Sequence, residues 1–274
     1  NDDIYKERLR DIFIRIIKLS ISSWRVQPMR DIKDYSSKYV SNEMSFETHQ
    51  VEFRRLKVIE QVNKYNHSTI VEIGCGTEPF FEYFNTYEKM VIIEPSDIFF
   101  KIAAEKATNK INVKLINSLF EDVELLEENV NIILLSSLLH EIEDPTLFLK
   151  QILSKCSEKT VVHINVPNSN SFHRLLAYES GLIESPDEFS MINHKFQINN
   201  VFNLESLEKL VRSVGFEVLD KGSYFVKPFT HGQMKSVLDN NIIDVNILNG
   251  LNKMIKYMPD LGSEIFVDVR IKKI

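Results

Sequence analysis

The clearest chemical signal in the sequence lies between Ile70 and Glu94, where carboxylates flank a glycine turn. An apolar strand is expected to end at Ile73, followed by a tight turn on Gly74 and Gly76. A second apolar strand ends on Glu94, about 20 residues further on, where a carboxylate can hold the two hydroxyls of a ribose. The stretch therefore predicts a nucleotide-type ligand at the carboxyl edge of a parallel sheet.

The turn itself indicates which nucleotide fits. A dinucleotide fingerprint has a third glycine, but that position is Pro79 here, and we expect a helix to begin at it. Glu78 precedes Pro79, and Glu72 stands before the first glycine. With no basic side chain expected nearby, these carboxylates would repel a diphosphate, whereas they suit a ligand that carries an ammonium and a sulfonium. The pattern favours S-adenosylmethionine (SAM) over a nicotinamide dinucleotide.

The run Glu-x-Gly-x-Gly at residues 72–76 resembles motif I of the class I SAM-dependent methyltransferases. The likeness covers residues 70–226, with one departure, since the family commonly has a small residue where Glu78 stands. The resemblance implies that Gly74 and Gly76 let the backbone approach the donor. It also implies that Glu72 orients the methionine ammonium and that Glu94 binds the ribose hydroxyls.

The resemblance extends the SAM site to two later strand ends. Ser118, Leu119 and Phe120 occupy the adenine-binding position, although the family often has Asp where Ser118 stands. Ser136 opens the loop after the fourth strand, which lines the pocket between the SAM methyl group and the acceptor. No metal is expected, because the sequence has no paired cysteines, no His-x-x-x-His run and no acidic cluster at ligand spacing.

A hydroxyl acceptor would need a base, and three histidines are candidates for it. His140 lies in the loop after the fourth strand, while His173 and His194 lie in a long polar segment after the fifth. Histidine has an unperturbed pKa of about 6.5, so it can accept a proton near neutral pH. Each of the three could equally be a packing or hydrogen-bonding residue. His231, beyond the sixth strand, is a weaker candidate.

Other polar residues near these strand ends carry less specific signals. Asn165 and Asn168 could hydrogen-bond a polar acceptor, although asparagine is also common where a strand ends. Asp144 precedes Pro145 and is expected to cap the following helix rather than to take part in catalysis.

Strand and helix patterns alternate along the chain and predict the fold. Apolar runs indicate seven strands, near residues 70–73, 90–93, 112–118, 130–135, 160–167, 216–227 and 264–272. Helices are expected between them, including those at 97–109, 146–156 and 204–214. We therefore expect an α/β fold with a Rossmann-like, doubly wound, mostly parallel seven-stranded sheet, N-terminal helices and helical insertions. The resemblance implies that the sheet also has an antiparallel edge strand.

Residues 1–66 are expected to form an N-terminal helical cap or lid over the SAM pocket. Helical patterns at 4–20 and 47–63 are separated by an aromatic-rich loop or broken helix. The first helix is expected to pack on the domain or on a partner subunit, which leaves a homo-oligomer open. On the second helix, His49 and Arg54 could face the acceptor or lie on a solvated face.

Residues 67–274 are expected to form the SAM-binding methyltransferase domain. A long polar and aromatic segment at 168–202 follows a strand end and is expected to act as a lid. A second insertion at 229–261 separates the last two strands and is expected to contain two helices.

Composition narrows the class of protein. The chain has 274 residues, of which 43% are hydrophobic and 26% charged, as in ordinary globular proteins. Its net charge of -6 gives no general attraction to nucleic acid or to anionic membrane. Two cysteines, Cys75 and Cys156, are too few for a disulfide scaffold and are expected to be reduced thiols. With no apolar run long enough for membrane insertion and no signal-peptide pattern, we expect a cytoplasmic protein.

These features predict a SAM-dependent methyltransferase that acts on a hydroxyl of a small molecule. The resemblance favours O-methyltransferases whose acceptor is a sugar or a glycosylated intermediate of bacterial surface polysaccharide biosynthesis or secondary metabolism. N-methylating members often have Asn/Asp-Pro-Pro-Tyr after the fourth strand, where this chain has Ser-Ser-Leu-Leu at 136–139. Two alternatives stay open: an NAD-dependent oxidoreductase, which would share the fold, and a SAM-fold binding module without catalysis.

Overall fold

The computed structural model describes residues 31–40, 46–124, 129–189, 193 and 196–273. The predicted helix at 4–20 and the candidate base His194 lie outside the described residues. In chain order the helices and strands are α1 (Ile32–Val40), α2 (Glu47–Val62), β1 (Thr69–Ile73), β2 (Lys89–Ile93), α3 (Asp97–Lys106), β3 (Val113–Ile116), β4 (Ile132–Ser136), α4 (Pro145–Lys155), β5 (Val161–Pro167), α5 (Phe172–Glu179), α6 (Leu204–Val214), β6 (Phe216–Tyr224), α7 (His231–Asp239), α8 (Val245–Lys253) and β7 (Glu264–Ile271).

The strands form one sheet in the order β3-β2-β1-β4-β5-β7-β6. Strands β1 to β5 are parallel, and β7 runs antiparallel to both β5 and β6. In β1, β2 and β4, four of five residues in each strand are buried, because helices cover both faces of the sheet. The predicted fold class, a mostly parallel seven-stranded Rossmann-like sheet with antiparallel pairing at one edge, is confirmed.

Helix caps set several of the predicted boundaries. The side chains of Ser96, Asp144 and Asn203 accept hydrogen bonds from backbone N–H groups in the first turns of α3, α4 and α6. Gly215 ends α6 with φ of 117°, a conformation that residues with a Cβ rarely adopt. The predicted capping role of Asp144 is thus confirmed.

The prediction of a helix that begins at Pro79 is wrong. The crossover from Ile73 to Lys89 contains only a short 3-10 helix, Phe80–Glu82. Phe80, Phe81 and Phe84 are all buried in the core, so the chain is drawn inward instead of forming an amphipathic helix on the sheet.

The segment expected as a loop or broken helix between the N-terminal helices contains a helix, Ile32–Val40, in agreement with the second alternative. Tyr35 and Tyr39 lie one turn apart on this helix, and both rings pack edge-on against Phe99 of α3. The buried Ser36 hydroxyl donates to the backbone carbonyl of Ile32 and so stays compatible with the helix.

The two-helix insertion between β6 and β7 is confirmed as α7 and α8. Met234 of α7 and Leu248 of α8 are buried in a small core with Phe46, Phe53 and residues from the ends of β6 and β7. The insertion therefore covers the sheet end next to α2. Among the described helices, none is long and apolar enough to cross a membrane.

Candidate active site

The glycine turn after β1 has the backbone conformation that its sequence requires. Gly74 and Gly76 have φ of 75° and 57°, in the left-handed region that disfavours a side chain. The N–H of Gly74 donates to the carbonyl of Ile93 at 2.9 Å, which joins the ends of β1 and β2. We call the carboxyl ends of β1, β2 and β3, with the turns that follow them, the donor edge.

Glu94 braces this turn from the end of β2. Its Oε2 accepts from the N–H groups of Cys75 at 2.9 Å and Gly76 at 3.3 Å, and its Oε1 accepts from Ser96 at 2.9 Å. Burial raises the pKa of Glu94, and the three N–H donors oppose that rise. A carboxylate has about four acceptor positions, so the backbone takes most of them. The sequence pattern did not indicate this bracing role, while ribose binding by Glu94 stays a prediction.

Glu72 is buried in β1 at the same edge. Its Oε2 accepts from the N–H of Phe80 at 2.9 Å. Burial raises the pKa of Glu72 to about 8, and the nearby Glu94 carboxylate adds to the rise. Among the described residues, no basic side chain forms an ion pair with it. A ligand ammonium at this position would stabilise the ionised form, so the site fits the amino-acid end of SAM.

Glu78 differs from the expectation that no cation lies nearby. Lys106 Nζ of α3 lies 3.3 Å and Arg55 Nη2 of α2 lies 3.7 Å from its carboxylate, and the Tyr83 hydroxyl donates to it. Partial burial works against ionisation, yet these partners hold the pKa of Glu78 below its usual value. The carboxylate therefore belongs to a half-exposed ion cluster assembled by α2 and α3, and that part of the prediction is wrong.

The predicted adenine segment divides into two kinds of residue. Ser118 is exposed, with its hydroxyl donating to the carbonyl of Leu119, whose side chain is 39% exposed. Phe120 is buried and packs edge-on against Phe148 in the core. The phenyl ring is thus a core residue, and only the backbone amide of Phe120 remains for the predicted adenine contact.

Asn165 supports the turn after β4 instead of facing an acceptor. Its Oδ1 accepts from the N–H of Ser137 at 2.9 Å, and its Nδ2 lies 3.2 Å from the hydroxyl of Ser136. The same amide lies 3.2 Å from Nε2 of His163, whose Nδ1 contacts Asp268 at 2.6 Å. These hydrogen bonds hold the ends of β4 and β5 together and engage the Asn165 amide within the protein. The acceptor-binding prediction for Asn165 is therefore wrong.

Asn168 has a similar structural role. Its Nδ2 donates to the carbonyls of Asp260 at 3.0 Å and Gly262 at 2.9 Å, and its Oδ1 accepts from the N–H of Asn170. These bonds hold the segment before β7 against the end of β5. The amide is used up within the protein, so the acceptor-binding prediction for Asn168 is wrong as well.

His140 and His173 lie in different parts of the site. His140 is buried in a 3-10 helix, with Nε2 4.0 Å from Glu141 Oε1, which also accepts from the Tyr35 hydroxyl. His173 lies in the first turn of α5, with Nδ1 3.1 Å from the Ser171 hydroxyl. Burial lowers the pKa of His173 well below its usual value, and the neighbouring cations, foremost Lys227, lower it further. These effects favour the uncharged form of the His173 imidazole at neutral pH.

A second group of charged side chains lies beyond β5, at the same edge of the sheet. Arg54 of α2 pairs with Glu264 at the start of β7, with Nε 2.9 Å from Oε2, and with Glu47 through Nη2 at 3.1 Å. Gln50 and the Tyr224 hydroxyl also donate to Glu264. Burial alone would raise the pKa of Glu47, but Arg54 and His231 lower it to about 2.

The same group continues to a buried lysine. Glu47 Oε2 lies 3.3 Å from Nε2 of His231, and Nδ1 of His231 lies 3.1 Å from Nζ of Lys227. Lys227 is only 3% exposed. We call the connected set the ionic cluster; its members are Glu47, Gln50, Arg54, Tyr224, Lys227, His231 and Glu264.

Sequence reasoning missed most of the ionic cluster. Glu47 and Arg54 lie seven residues apart, and therefore on one face of α2, which is the only local signal. Their partner Glu264 is separated from Arg54 by 210 residues and enters the site through antiparallel pairing with β5 and β6. Nothing in the sequence around Glu264 marks it as charged and buried.

Comparison with known proteins agrees with this geometry. A family model described as a methyltransferase domain matches residues 46–221, which is more than half of the chain. The chain belongs to this methyltransferase family. Membership confirms SAM as the cofactor of the protein, as predicted from the Gly74–Gly76 turn and its carboxylates. No curated protein matches the methyltransferase in sequence.

Solved structures show the same fold at low sequence identity. A SAM-dependent methyltransferase from Thermotoga maritima is 17% identical, with a TM-score of 0.57, covering 87% of this chain and 98% of its own. The plantazolicin methyltransferase BpumL, solved with a substrate analogue and S-adenosylhomocysteine (SAH), is 18% identical with a TM-score of 0.51, covering 87% and 89%. The [4+2]-cyclase SpnF is 15% identical with a TM-score of 0.52, covering 79% of each chain.

Proposed function

We propose that the methyltransferase moves a methyl group from SAM to a hydroxyl of a small molecule, a sugar or glycosylated intermediate of bacterial surface glycan or secondary metabolism. The hydroxyl assignment rests on the half-buried imidazole of His173, whose pKa is held well below its usual value by burial and by the neighbouring cation Lys227. A hydroxyl must lose its proton as the new carbon–oxygen bond forms, and a neutral imidazole can accept that proton.

The donor edge would hold SAM through its backbone and two carboxylates. Gly74 and Gly76 leave the backbone open to the ligand. Glu72 would bind the methionine ammonium and Glu94 the ribose hydroxyls, while Ser118, Leu119 and the amide of Phe120 would contact the adenine. When bound, SAM supplies an electrophilic methyl group on a positively charged sulfur. Ser136, held by Asn165, would line the wall between donor and acceptor.

The N-terminal and inserted segments would close the site. Tyr35 and Tyr39 of α1 pack on Phe99, five residues beyond Glu94, so this part of the 1–66 segment supports the proposed cap. α5 follows β5 directly and carries His173, which supports the lid proposed at 168–202. Excluding water in this way protects the sulfonium and strengthens electrostatic contacts inside the site.

His173 is our first choice as base, and His140 and His194 are the alternatives. His173 lies within electrostatic reach of Lys227 and Arg174, whereas His140 lies next to Glu141 in the loop after β4. We expect His173→Gln to lower kcat on the order of a hundredfold and to leave SAH affinity unchanged. His67, which lies before β1 at the opposite edge of the sheet, provides the matched control His67→Gln.

The function is tested with radiolabelled SAM and a panel of sugars and glycosides, with SAH binding followed by calorimetry. Transfer to a hydroxyl that depends on one of the three histidines supports the proposal. Unchanged turnover at every pH in His173→Gln, His140→Gln and His194→Gln would remove the histidine base. Binding of NAD without binding of SAH would favour the oxidoreductase alternative, and SAH binding without transfer to any acceptor would favour a non-catalytic module.

A further inference from the structure

The buried ammonium of Lys227 has an incomplete set of hydrogen-bond partners among the described residues. An ammonium has three N–H donors and no acceptor. Its hydrogen-bond partner among the described residues is Nδ1 of His231, at 3.1 Å. With 3% of the residue exposed, water does not readily replace the missing acceptors. A buried charge without a full set of partners is costly unless a ligand completes it.

The nearest carboxylates are already engaged with other donors. Glu47 pairs with Arg54 and His231, and Glu264 accepts from Arg54, Gln50 and Tyr224. Both carboxylates act on Lys227 only through space. The part of the chain that the structure describes therefore supplies a cation at this point without placing an anion in contact with it.

The position and orientation of the ammonium are set by the neighbouring side chains. Because Lys227 Nζ donates to His231 Nδ1, the proton of His231 lies on Nε2 and faces Glu47. Phe225, with φ of 56°, turns the chain after β6, and its ring stacks on Phe53 of α2 at 4.3 Å. This turn directs the segment that carries Lys227 towards α2 and α7.

The location fits an acceptor. Lys227 follows β6 at the carboxyl edge of the sheet, and its charge is felt by His173 of α5, our proposed base. Tyr39 of α1 lies within electrostatic reach of Glu47 and Glu141, and its ring touches Phe99 beside the donor edge. A molecule bound between these groups would have one end near Lys227 and another towards the donor.

We propose that Lys227 recognises an anionic group, a carboxylate or a phosphate, on the methyl acceptor. The proposal rests on the proposed function, since it names the class of hydroxyl compound that this site would accept. The two free N–H groups would donate charge-assisted hydrogen bonds to the oxyanion. Burial lowers the pKa of Lys227 to about 8 against the pull of Glu47 and Glu264, and an oxyanion would raise it again.

The test uses simple probes, because the acceptor itself is not identified. Glucuronate, glucose 6-phosphate, glucose, acetate and inorganic phosphate are titrated into the full chain, with and without saturating SAH, and binding is followed by calorimetry and thermal shift. We expect glucuronate or glucose 6-phosphate to bind on the order of tenfold more tightly than glucose. The carboxylate and phosphate probes show which oxyanion is preferred.

Variants distinguish anion binding at Lys227 from nonspecific binding at surface lysines. Lys227→Met should abolish the preference for the anionic sugars, Lys227→Arg should keep most of it, and both should bind SAH normally. Lys273, with a side chain 65% exposed, provides the matched control Lys273→Met, which should behave like wild type. If Lys227→Met fails to fold, the wild-type and Lys227→Arg titrations decide alone.

Equal binding of charged and neutral sugars by wild type would overturn the proposal, as would an anion preference that survives in Lys227→Met. In that case a neutral acceptor facing an uncharged Lys227 amine would become the better description. Failure of the wild-type protein to bind SAH speaks against the proposed function instead, and the anion titrations without SAH keep the two results distinct.

Discussion

The donor edge is held mainly by backbone hydrogen bonds, whereas the ionic cluster is held by side-chain ion pairs. At the donor edge, Glu94 and Glu72 accept from backbone N–H groups of residues close to them in the chain or on the next strand. In the ionic cluster, Arg54 and Glu264 meet across 210 residues. The first arrangement is set by a local turn, and the second exists only when α2, β6, β7 and α7 have packed together.

Because of this difference, substitutions in the two regions should affect different properties, ligand affinity in one and stability in the other. Backbone donors at the donor edge keep their geometry when a ligand arrives, so changes there should act mostly on SAM affinity. Buried ion pairs lose most when one partner is removed, because the other charge is then left without compensation. Changes in the ionic cluster should therefore act first on the free energy of unfolding.

The largest expected effect is on stability, from Arg54→Met. Removing this guanidinium, whose side chain is 12% exposed, leaves Glu47 and Glu264 buried without their cation. We expect the free energy of unfolding to fall by about 3–5 kcal/mol. The control is Arg212→Met, because Arg212 pairs with Glu208 on the surface and is 52% exposed.

Denaturant unfolding of both variants measures the difference, and the surface variant should lose at most about 0.5 kcal/mol. If Arg54→Met cost no more than Arg212→Met, the ionic cluster would not be a stability element.

The next largest effect should come from Glu94→Ala. Three backbone N–H groups would lose a charged acceptor, and the turn around Gly76 would lose its brace. We expect SAH to bind on the order of a hundredfold more weakly, which corresponds to about 2–3 kcal/mol. The exposed Glu88 provides the control Glu88→Ala, and calorimetry with SAH gives both affinities. Equal affinities in the two variants would contradict the role given to Glu94.

A smaller effect should appear as a pH dependence that only the donor edge shows. Burial raises the pKa of Glu72 to about 8 in the folded protein, and we expect the ligand ammonium to bind its ionised form. Because the ionised fraction rises nearly tenfold per pH unit below the pKa, SAH affinity should rise about tenfold between pH 6.5 and 7.5. Calorimetry in buffers of different ionisation enthalpy should show proton release on binding.

Glu72→Gln is the control for this titration and should bind SAH weakly, with little pH dependence. The free energy of unfolding should depend on pH with the opposite sign. The folded protein keeps the Glu72 proton up to about pH 8, whereas the unfolded chain releases it near its ordinary pKa of 4.5. The free energy of unfolding of the ligand-free protein should therefore fall as the pH rises through this window, and Glu72→Gln should not show that fall. A pH-independent affinity of the wild type would contradict this account.

The smallest effect is expected from Glu78→Gln. Its carboxylate is 41% exposed and pairs with Lys106 and Arg55 at the surface, so solvent screens the interaction. Stability should change by at most about 1 kcal/mol and SAH affinity by less than about threefold. A large loss of SAH affinity would move Glu78 into the donor site and weaken the contrast between Glu72 and its neighbour.

Local patterns were sufficient for much of the fold and for the donor edge. Apolar runs predicted all seven strands, and Ser96, Asp144 and Asn203 marked three helix starts, because caps act within one turn of the chain. The helix expected from Pro79 failed for the opposite reason. Whether Phe80, Phe81 and Phe84 line a helix face or turn inward depends on space in the core, which no local pattern records.

The same limit explains why the predictions for the polar residues at the strand ends failed. Asn165 and Asn168 stand at strand ends, as an acceptor-binding residue would, yet both amides are used by Ser137, Asp260 and Gly262. Hydrogen-bond partners separated by many residues decide between the two roles. A sequence motif can place a side chain at the sheet edge but cannot show which atoms it will meet there.

The sequence by itself determined the family, the cofactor and the glycine turn after β1, since a left-handed glycine pair and carboxylates at two strand ends act over short chain distances. Only the tertiary structure decided that Glu94 braces the turn, that Glu72 is buried with no ion-pair partner among the described residues, and that Lys227 and His231 join Glu47. The physical reason is that burial and charge pairing are properties of packed elements. They arise when α2 and the β6–β7 insertion close over the end of the sheet.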